Sequence, residues 1–417
     1  MKIVLLSTFE LNGGAAIACN RLMKALQKNG VEVNMLVRDK NSDDINVTSI
    51  NSSWITGKLN YFRFVWERLI IFFNNHFSRP DLFKVSIANT GTNIVRHPLV
   101  KEADIIHLHW INQGFLSLKD IKALIKTGKP IVWTMHDMWA CTGICHHSWG
   151  CEYFTERCGN CPLLHSGKNK DLSYRIFKSK LFISQSDMHL VTVSSWLKSM
   201  AQKSAITQKM KISVIPNVID LRIFQPVNKN EAHEAFLLPR DKKIITMGAY
   251  KIDDPIKGFS LLKQALRKIY EQEKDILLVL FGNIKNIKIL EDIRFPYTYL
   301  GTIRERSRIA LLYNASDVNV VPSYYETFGQ TITESMACGC PSVSFNNSGQ
   351  TDIIDHQVNG YLAEFKNADD LAAGISWVLS QDKKEITEAC IKKVRSCYTE
   401  NMVAQQHIDL YKNLMNK

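Results

Sequence analysis

Short apolar runs, each followed by a stretch of helical periodicity, recur along this chain in two successive series. That rhythm restricts the fold more than any other feature. The first series has strand-like runs at 2–9, 32–37, 104–110, 130–137, 189–195 and 211–216, and the second at 243–248, 275–282, 297–301, 317–321 and 341–345. Continuous rather than alternating hydrophobicity marks strands covered on both faces, as parallel sheets require. Helical patterns at 15–29 (stopped by Gly30), 259–270, 304–315, 330–338 and 368–379 supply the crossovers. The expected fold is therefore α/β, with two doubly wound, Rossmann-like domains. At 417 residues the chain also exceeds what one hydrophobic core usually supports. The expected boundaries are 1–218, 219–400 and a terminal helix at 401–417, with the polar, strand-poor stretch 220–242 as the linker.

Charge is unevenly divided between the halves. Residues 1–215 hold 27 Lys and Arg against 15 Asp and Glu, whereas 216–417 hold 25 of each, so the whole excess of +12 is N-terminal. A basic half attracts nucleic acid, anionic membrane or an anionic small molecule. No helix-turn-helix, zinc-finger repeat or RNA-recognition signature appears, so nucleic acid is not an expected partner. The aromatic, lightly basic stretch 58–77 fits a membrane-surface helix and equally a core helix with an exposed basic edge. Peripheral contact with the inner face of the cytoplasmic membrane is accordingly one expectation. The first residues read directly as a strand rather than as a signal peptide, and no charge-free apolar run of about 18 residues occurs. A cytoplasmic protein is expected.

Chemistry concentrates in one string, Pro322-Ser-Tyr-Tyr-Glu-Thr-Phe-Gly-Gln-Thr-Ile-Thr-Glu-Ser-Met-Ala-Cys-Gly-Cys-Pro341. It reads as the end of a strand (318–321), a loop (323–329) and a short helix (331–338) stopped by Gly339. Glu326 falls on the loop, the amides of Phe328 and Gly329 at the helix entry, and Glu334 about one turn inside. Ligands bind at the carboxyl edge of a parallel sheet, where helix-entry amides donate to anions and carboxylates accept from hydroxyls. On spacing alone, two solvated surface carboxylates are the favoured reading. Two other loops have a similar setting. Gly13 and Gly14 follow the first strand and open the first helix, and Lys257-Gly258 lies beyond the strand that ends at Gly248. His136 and Asp137 close the strand at 130–137, and His107 and His109 share one face of the strand before it.

The Glu326–Glu334 string resembles the E-x7-E signature of glycosyltransferase family 4, and the resemblance covers nearly the whole chain. It implies the GT-B fold: two facing Rossmann-like domains with an interdomain cleft and a terminal helix crossing back to the first. It also implies transfer of a sugar from a nucleotide-sugar donor to a saccharide or lipid-linked saccharide acceptor, with retention at the anomeric carbon. The subgroup it resembles serves bacterial surface polysaccharides such as O-antigen, capsule or exopolysaccharide. By the same resemblance Glu334 holds the ribose, Glu326 with the Phe328 and Gly329 amides meets the donor sugar, and His136 touches that sugar. Lys257 and the Gly13–Gly14 loop face the diphosphate. The family's arginine after the strand glycine is Ala249 here, which makes Lys251 a candidate replacement. The string Pro216-Asn217-Val218 resembles the family's hinge, with Val218 in place of glycine and Asn217 as a minor site candidate. No catalytic metal is implied.

Two rival classes stay open on sequence. An epimerase on the same scaffold would turn over donor without acceptor, and a non-catalytic sugar or nucleic-acid binding protein would tolerate Glu326→Gln. Five cysteines, Cys141, Cys145, Cys151, Cys158 and Cys161, crowd into one loop. In a cytosolic protein this argues against disulfides. A structural zinc on four of the five is one expectation, and free or redox-active thiols are the other.

Overall fold

The structure is a computed structural model that describes residues 1–416. It divides into two compact units, Met1–Pro216 with Val403–Lys417, and Asn217–Met402.

Unit 1 is built on a seven-stranded parallel sheet. Its strands are β1 (Lys2–Phe9), β2 (Glu32–Asp39), β3 (Val47–Ser49), β4 (Ile105–Leu108), β5 (Ile131–Met135), β6 (His189–Thr192) and β7 (Lys211–Val214), in the spatial order β3-β2-β1-β4-β5-β6-β7. The chain steps outward from β1 to β3 and then returns to the far side of β1, so the β1/β4 boundary is the topological switch point where such sheets take ligands. Register there pairs Ile3 with Ile105 and Leu6 with Leu108. Helix α1 (Gly14–Lys28) follows β1 directly and buries Leu22, Met23 and Leu26. Helix α2 (Trp54–Asn74) starts at a capping box in which Ser53 and Thr56 bond each other's backbone amides.

Unit 2 repeats the plan with six parallel strands: β8 (Lys243–Lys251), β9 (Ile276–Asn283), β10 (Tyr297–Tyr299), β11 (Val318–Val321), β12 (Ser342–Phe345) and β13 (Gly360–Ala363), ordered β10-β9-β8-β11-β12-β13. Its switch point is β8/β11, where Ile245 pairs with Val318. The Phe259–Ile269 and Ala368–Ser380 helices bury Leu262, Leu266, Leu371 and Ile375 against Leu278, Val320 and Val343 in one continuous core. Helix α3 (Gln330–Ala337) follows β11, and helix α4 (Glu400–Met415) ends the described chain, with its residues from Val403 onward in unit 1.

Four elements depart from the sequence expectation. The stretch read as a linker contains a helix, Lys229–Ala235, inside unit 2. It is held there because the buried His233 ring bonds the Ala315 carbonyl at 3.0 Å and Lys229 pairs with Asp317 at 2.7 Å. Strands β3 and β13 had no apolar run to announce them. The aromatic stretch at 58–77 is not a core helix, since within α2 only Asn60, Glu67, Arg68 and Ile71 are buried.

Candidate functional site

In unit 2 the two loops leaving the switch-point strands are bonded to each other. Pro322 follows β11, and the Tyr324 amide donates to the Ile256 carbonyl at 2.8 Å, tying the loop at 323–329 to the short turn Pro255–Lys257 after β8. Gly258 sits at φ +67°, and a Cβ there would lie 1.9 Å from the Pro322 carbonyl oxygen. Only glycine permits both that backbone conformation and that approach. From the other side, the Ser348 hydroxyl accepts from the Glu326 amide at 3.0 Å, and the Gly349 amide donates to the Glu326 carbonyl at 2.7 Å. The backbone of Glu326 is thus fixed from two directions. Its carboxylate Oε1 lies 2.7 Å from Lys257 Nζ, with both side chains partly open to solvent.

Glu334, eight residues on, is 9% exposed on α3 and is not a surface carboxylate. Its charge acts on its neighbours: burial first, and then Glu334, pushes the hydroxyl of Tyr313 well above the ordinary tyrosine range. That hydroxyl is buried without a hydrogen-bond partner among the described residues. Tyr313 was not singled out from sequence, and it lies on the Arg306–Ala315 helix as an ordinary apolar-face position. Phe328 is buried, its ring edge-on to Tyr398 at 5.6 Å, and Gly329 at φ +111° begins α3 without any side-chain cap. Ala249 lies where the β8–β9 register shifts, and Lys251 closes β8 just beyond it. Asn217 is the half-buried first residue of the unit.

The remaining sequence candidates belong to unit 1. Gly13, at φ +92°, is the N-cap of α1, and nothing lies within 4 Å of where its Cβ would be. Its glycine is required by the backbone angle, and the space above the loop is open. His136, just past β5, has Nε2 2.9 Å from Nδ1 of His109. The sharing of one face by His107 and His109 is observed, with ring centroids 4.3 Å apart. His107 bonds the Tyr411 hydroxyl and the Thr134 hydroxyl, both at 2.7 Å. His407 and Tyr411 of α4 complete this buried cluster, and neither was a sequence candidate. Burial lowers all four imidazoles, His136 to about 4, His407 to about 3, and His107 and His109 well below the ordinary range. They are neutral hydrogen-bonding groups near neutral pH. Burial would raise Asp137, but His146, whose Nδ1 lies 2.6 Å away, outweighs it and brings the carboxyl down to about 2; Asp137 also accepts from the Trp110 ring at 2.8 Å.

The cysteine loop is reduced throughout, with Cys141, Cys145, Cys151, Cys158 and Cys161 all unpaired by disulfides. Cys145, Cys151, Cys158 and Cys161 line one small pocket with Ile144 and Phe154. Cys141 is not part of it, and its sulfur donates to the Met138 carbonyl. Burial pushes the thiols of Cys145, Cys158 and Cys161 up to about 12. Among the described residues no three of His, Cys, Asp or Glu are grouped to hold a metal ion, so the zinc expectation gains no ligand set here. What braces the loop is a buried lysine: Lys180 Nζ donates to the Trp139 and Thr142 carbonyls at 2.6 and 3.1 Å and sits 3.3 Å from the centre of the Trp139 ring.

Comparison with known proteins agrees with this geometry. The family model described as glycosyl transferases group 1 matches residues 228–396, and that described as Glycosyltransferase Family 4 matches residues 12–223, just over half of the chain. An uncharacterized glycosyltransferase of Methanocaldococcus jannaschii is 26% identical over 97% of this chain and 95% of its own length. A UDP-Gal:alpha-D-GlcNAc-diphosphoundecaprenol alpha-1,3-galactosyltransferase of Escherichia coli is 27% identical over 46% of this chain and 51% of its own. The sucrose-phosphate synthase of Thermosynechococcus elongatus superposes with a TM-score of 0.69 at 21% identity, covering 100% of this chain and 99% of that one. With two Rossmann-like parallel-sheet units of the GT-B type and both family models in register with them, the chain belongs to glycosyltransferase family 4.

Proposed function

We propose that this glycosyltransferase moves a sugar from a nucleotide-sugar donor to a saccharide or lipid-linked saccharide acceptor of a bacterial surface polysaccharide, with retention at the anomeric carbon. The observation that carries the reading is the Lys257–Glu326 pair, fixed at the β8/β11 switch point with the buried Glu334 eight residues further along. An ammonium has three donors. One meets Glu326, which leaves others to stabilise charge on a departing diphosphate. Glu326 accepts from hydroxyls of the transferred sugar, and Glu334 accepts from the ribose. The bond from the anomeric carbon to the phosphate oxygen breaks as the acceptor oxygen bonds to the same face. The acceptor's proton passes to the leaving phosphate oxygen, so no enzyme nucleophile enters the balance. The name of the Escherichia coli relative, which pairs a UDP-sugar with a diphosphoundecaprenol acceptor, supports the substrate class.

Incubation with a panel of nucleotide-sugars, with and without saccharide acceptors, tests this reading. Free nucleotide is expected only when an acceptor is present, and the product's anomeric coupling constant should match the donor's. Donor converted without acceptor, with its nucleotide still attached, would mark an epimerase. An inverted product would reject the front-side mechanism.

A further inference from the structure

Helix α2 is amphipathic in the reverse of the usual sense. Its inward side is polar. Glu67 is fully buried and accepts from the Ile87 and Ala88 amides at 2.7 and 2.9 Å, with Arg68 paired to it at 3.1 Å. Asn60, also buried, bonds Asn51 and Arg63, both at 2.6 Å. Its outward side is apolar: Trp54, Ile55, Leu59, Phe62, Trp66 and Phe73 are all between 47% and 73% exposed. At 100° per residue these six fall within a single arc of the helix, opposite Asn60, Glu67 and Ile71. A surface helix in a protein that only meets water shows the opposite arrangement, and apolar patches of this extent mark docking surfaces.

The charges around the face select the partner. Between residues 45 and 80 the only carboxylate is Glu67, which is buried, whereas Lys58 and Arg79 are exposed. Lys58 Nζ lies 3.8 Å from the centre of the Trp54 ring, its stem along the aromatic face and its charge at the edge. The surrounding half of the sequence holds the entire positive excess of the chain. Tryptophan and phenylalanine with a basic fringe and no exposed carboxylate match the boundary between acyl chains and anionic headgroups. At 21 residues α2 is about 30 Å long, and among the described residues no helix is apolar enough to cross a membrane. We infer that α2 lies flat on an anionic lipid surface, with Trp54, Phe62, Trp66 and Phe73 entering the headgroup layer. This geometry anchors the chain without a membrane-spanning segment.

Co-sedimentation of the full chain with phosphatidylcholine–phosphatidylglycerol vesicles at low salt tests the inference, and needs no sugar substrate. Wild type should pellet with these vesicles, with a blue shift of tryptophan emission, and pellet much less with phosphatidylcholine alone. The triple substitution Phe62→Asn, Trp66→Asn, Phe73→Asn changes only outward positions and should weaken vesicle binding at least tenfold with no change in melting temperature. Lys58→Glu should weaken it less and make the remainder insensitive to salt. Wild type remaining in the supernatant, or triple variant and wild type pelleting alike, would overturn the inference. So would a concentration-dependent dimer that the triple variant abolishes, because the face would then be a contact between copies of this chain.

Discussion

Replacing Lys257 by methionine should lower transfer turnover by roughly 10²–10³-fold, the loss of about 3–4 kcal/mol of transition-state stabilisation that one charge-directed donor typically supplies. Methionine keeps the length and apolar stem of the side chain but leaves the Glu326 carboxylate without the ammonium that stands 2.7 Å away. As a simple ion pair, with both partners partly exposed, this contact would contribute at most about 1 kcal/mol of stability. The two readings therefore separate cleanly. A catalytic lysine produces a large fall in turnover with a small change in melting temperature. A structural one produces small changes in both, and turnover within threefold of wild type would remove Lys257 from the chemistry. Lys257→Arg should recover part of the loss, since it restores charge but not the compact ammonium.

Acidification should weaken unit 1 sharply. His107, His109, His136 and His407 are held neutral by burial, His136 at about 4 and His407 at about 3, and all should titrate near 6.5 once unfolded. The unfolded chain thus binds more protons than the folded one throughout the window between 6.5 and those lower values. The stability contributed by neutral imidazoles is complete above pH 6.5 and is lost as pH falls through that window. From pH 7.5 to 5.5 an imidazole held neutral by burial costs on the order of 1 kcal/mol, and the cluster as a whole costs several times that at most. Seven of the eight tryptophans lie in unit 1, so their fluorescence reports its unfolding. Guanidinium midpoints read by fluorescence should drop over this range, and drop less in His407→Leu. A midpoint unchanged between pH 7.5 and 5.5 would show that the cluster protonates without cost.

The architecture was legible because parallel strands write themselves as continuous apolar runs, and β1 was read with its observed ends. The strands that escaped, Val47–Ser49 and Gly360–Ala363, are short edge strands ordered by pairing with β2 and β12. The Glu326–Glu334 string was legible because strand, loop and helix are contiguous there, which places both carboxylates by local rules alone. Contacts between distant residues were not legible. His107 meets Tyr411 from 304 positions away, and no periodicity announces such a pair. Nor does cysteine spacing show that Cys141 stands apart from the pocket its neighbours line. The direction of α2 was hidden for a related reason: aromatic and basic residues alternate alike in a buried and an exposed helix. Only the position of Glu67 against the Ile87 and Ala88 amides decides which side faces inward.

The central claim, that unit 2 holds a nucleotide-sugar with Glu334 on its nucleotide, is tested most directly by the melting temperatures of wild type and Glu334→Gln with UDP, GDP, ADP, dTDP and CMP. At least one nucleotide should stabilise wild type, by about 2.7 kcal/mol at a hundredfold excess over its Kd, and a tenfold affinity loss in Glu334→Gln should remove about 1.4 kcal/mol of that. No stabilisation of wild type by any of the five, or an equal shift in both proteins, would contradict the account.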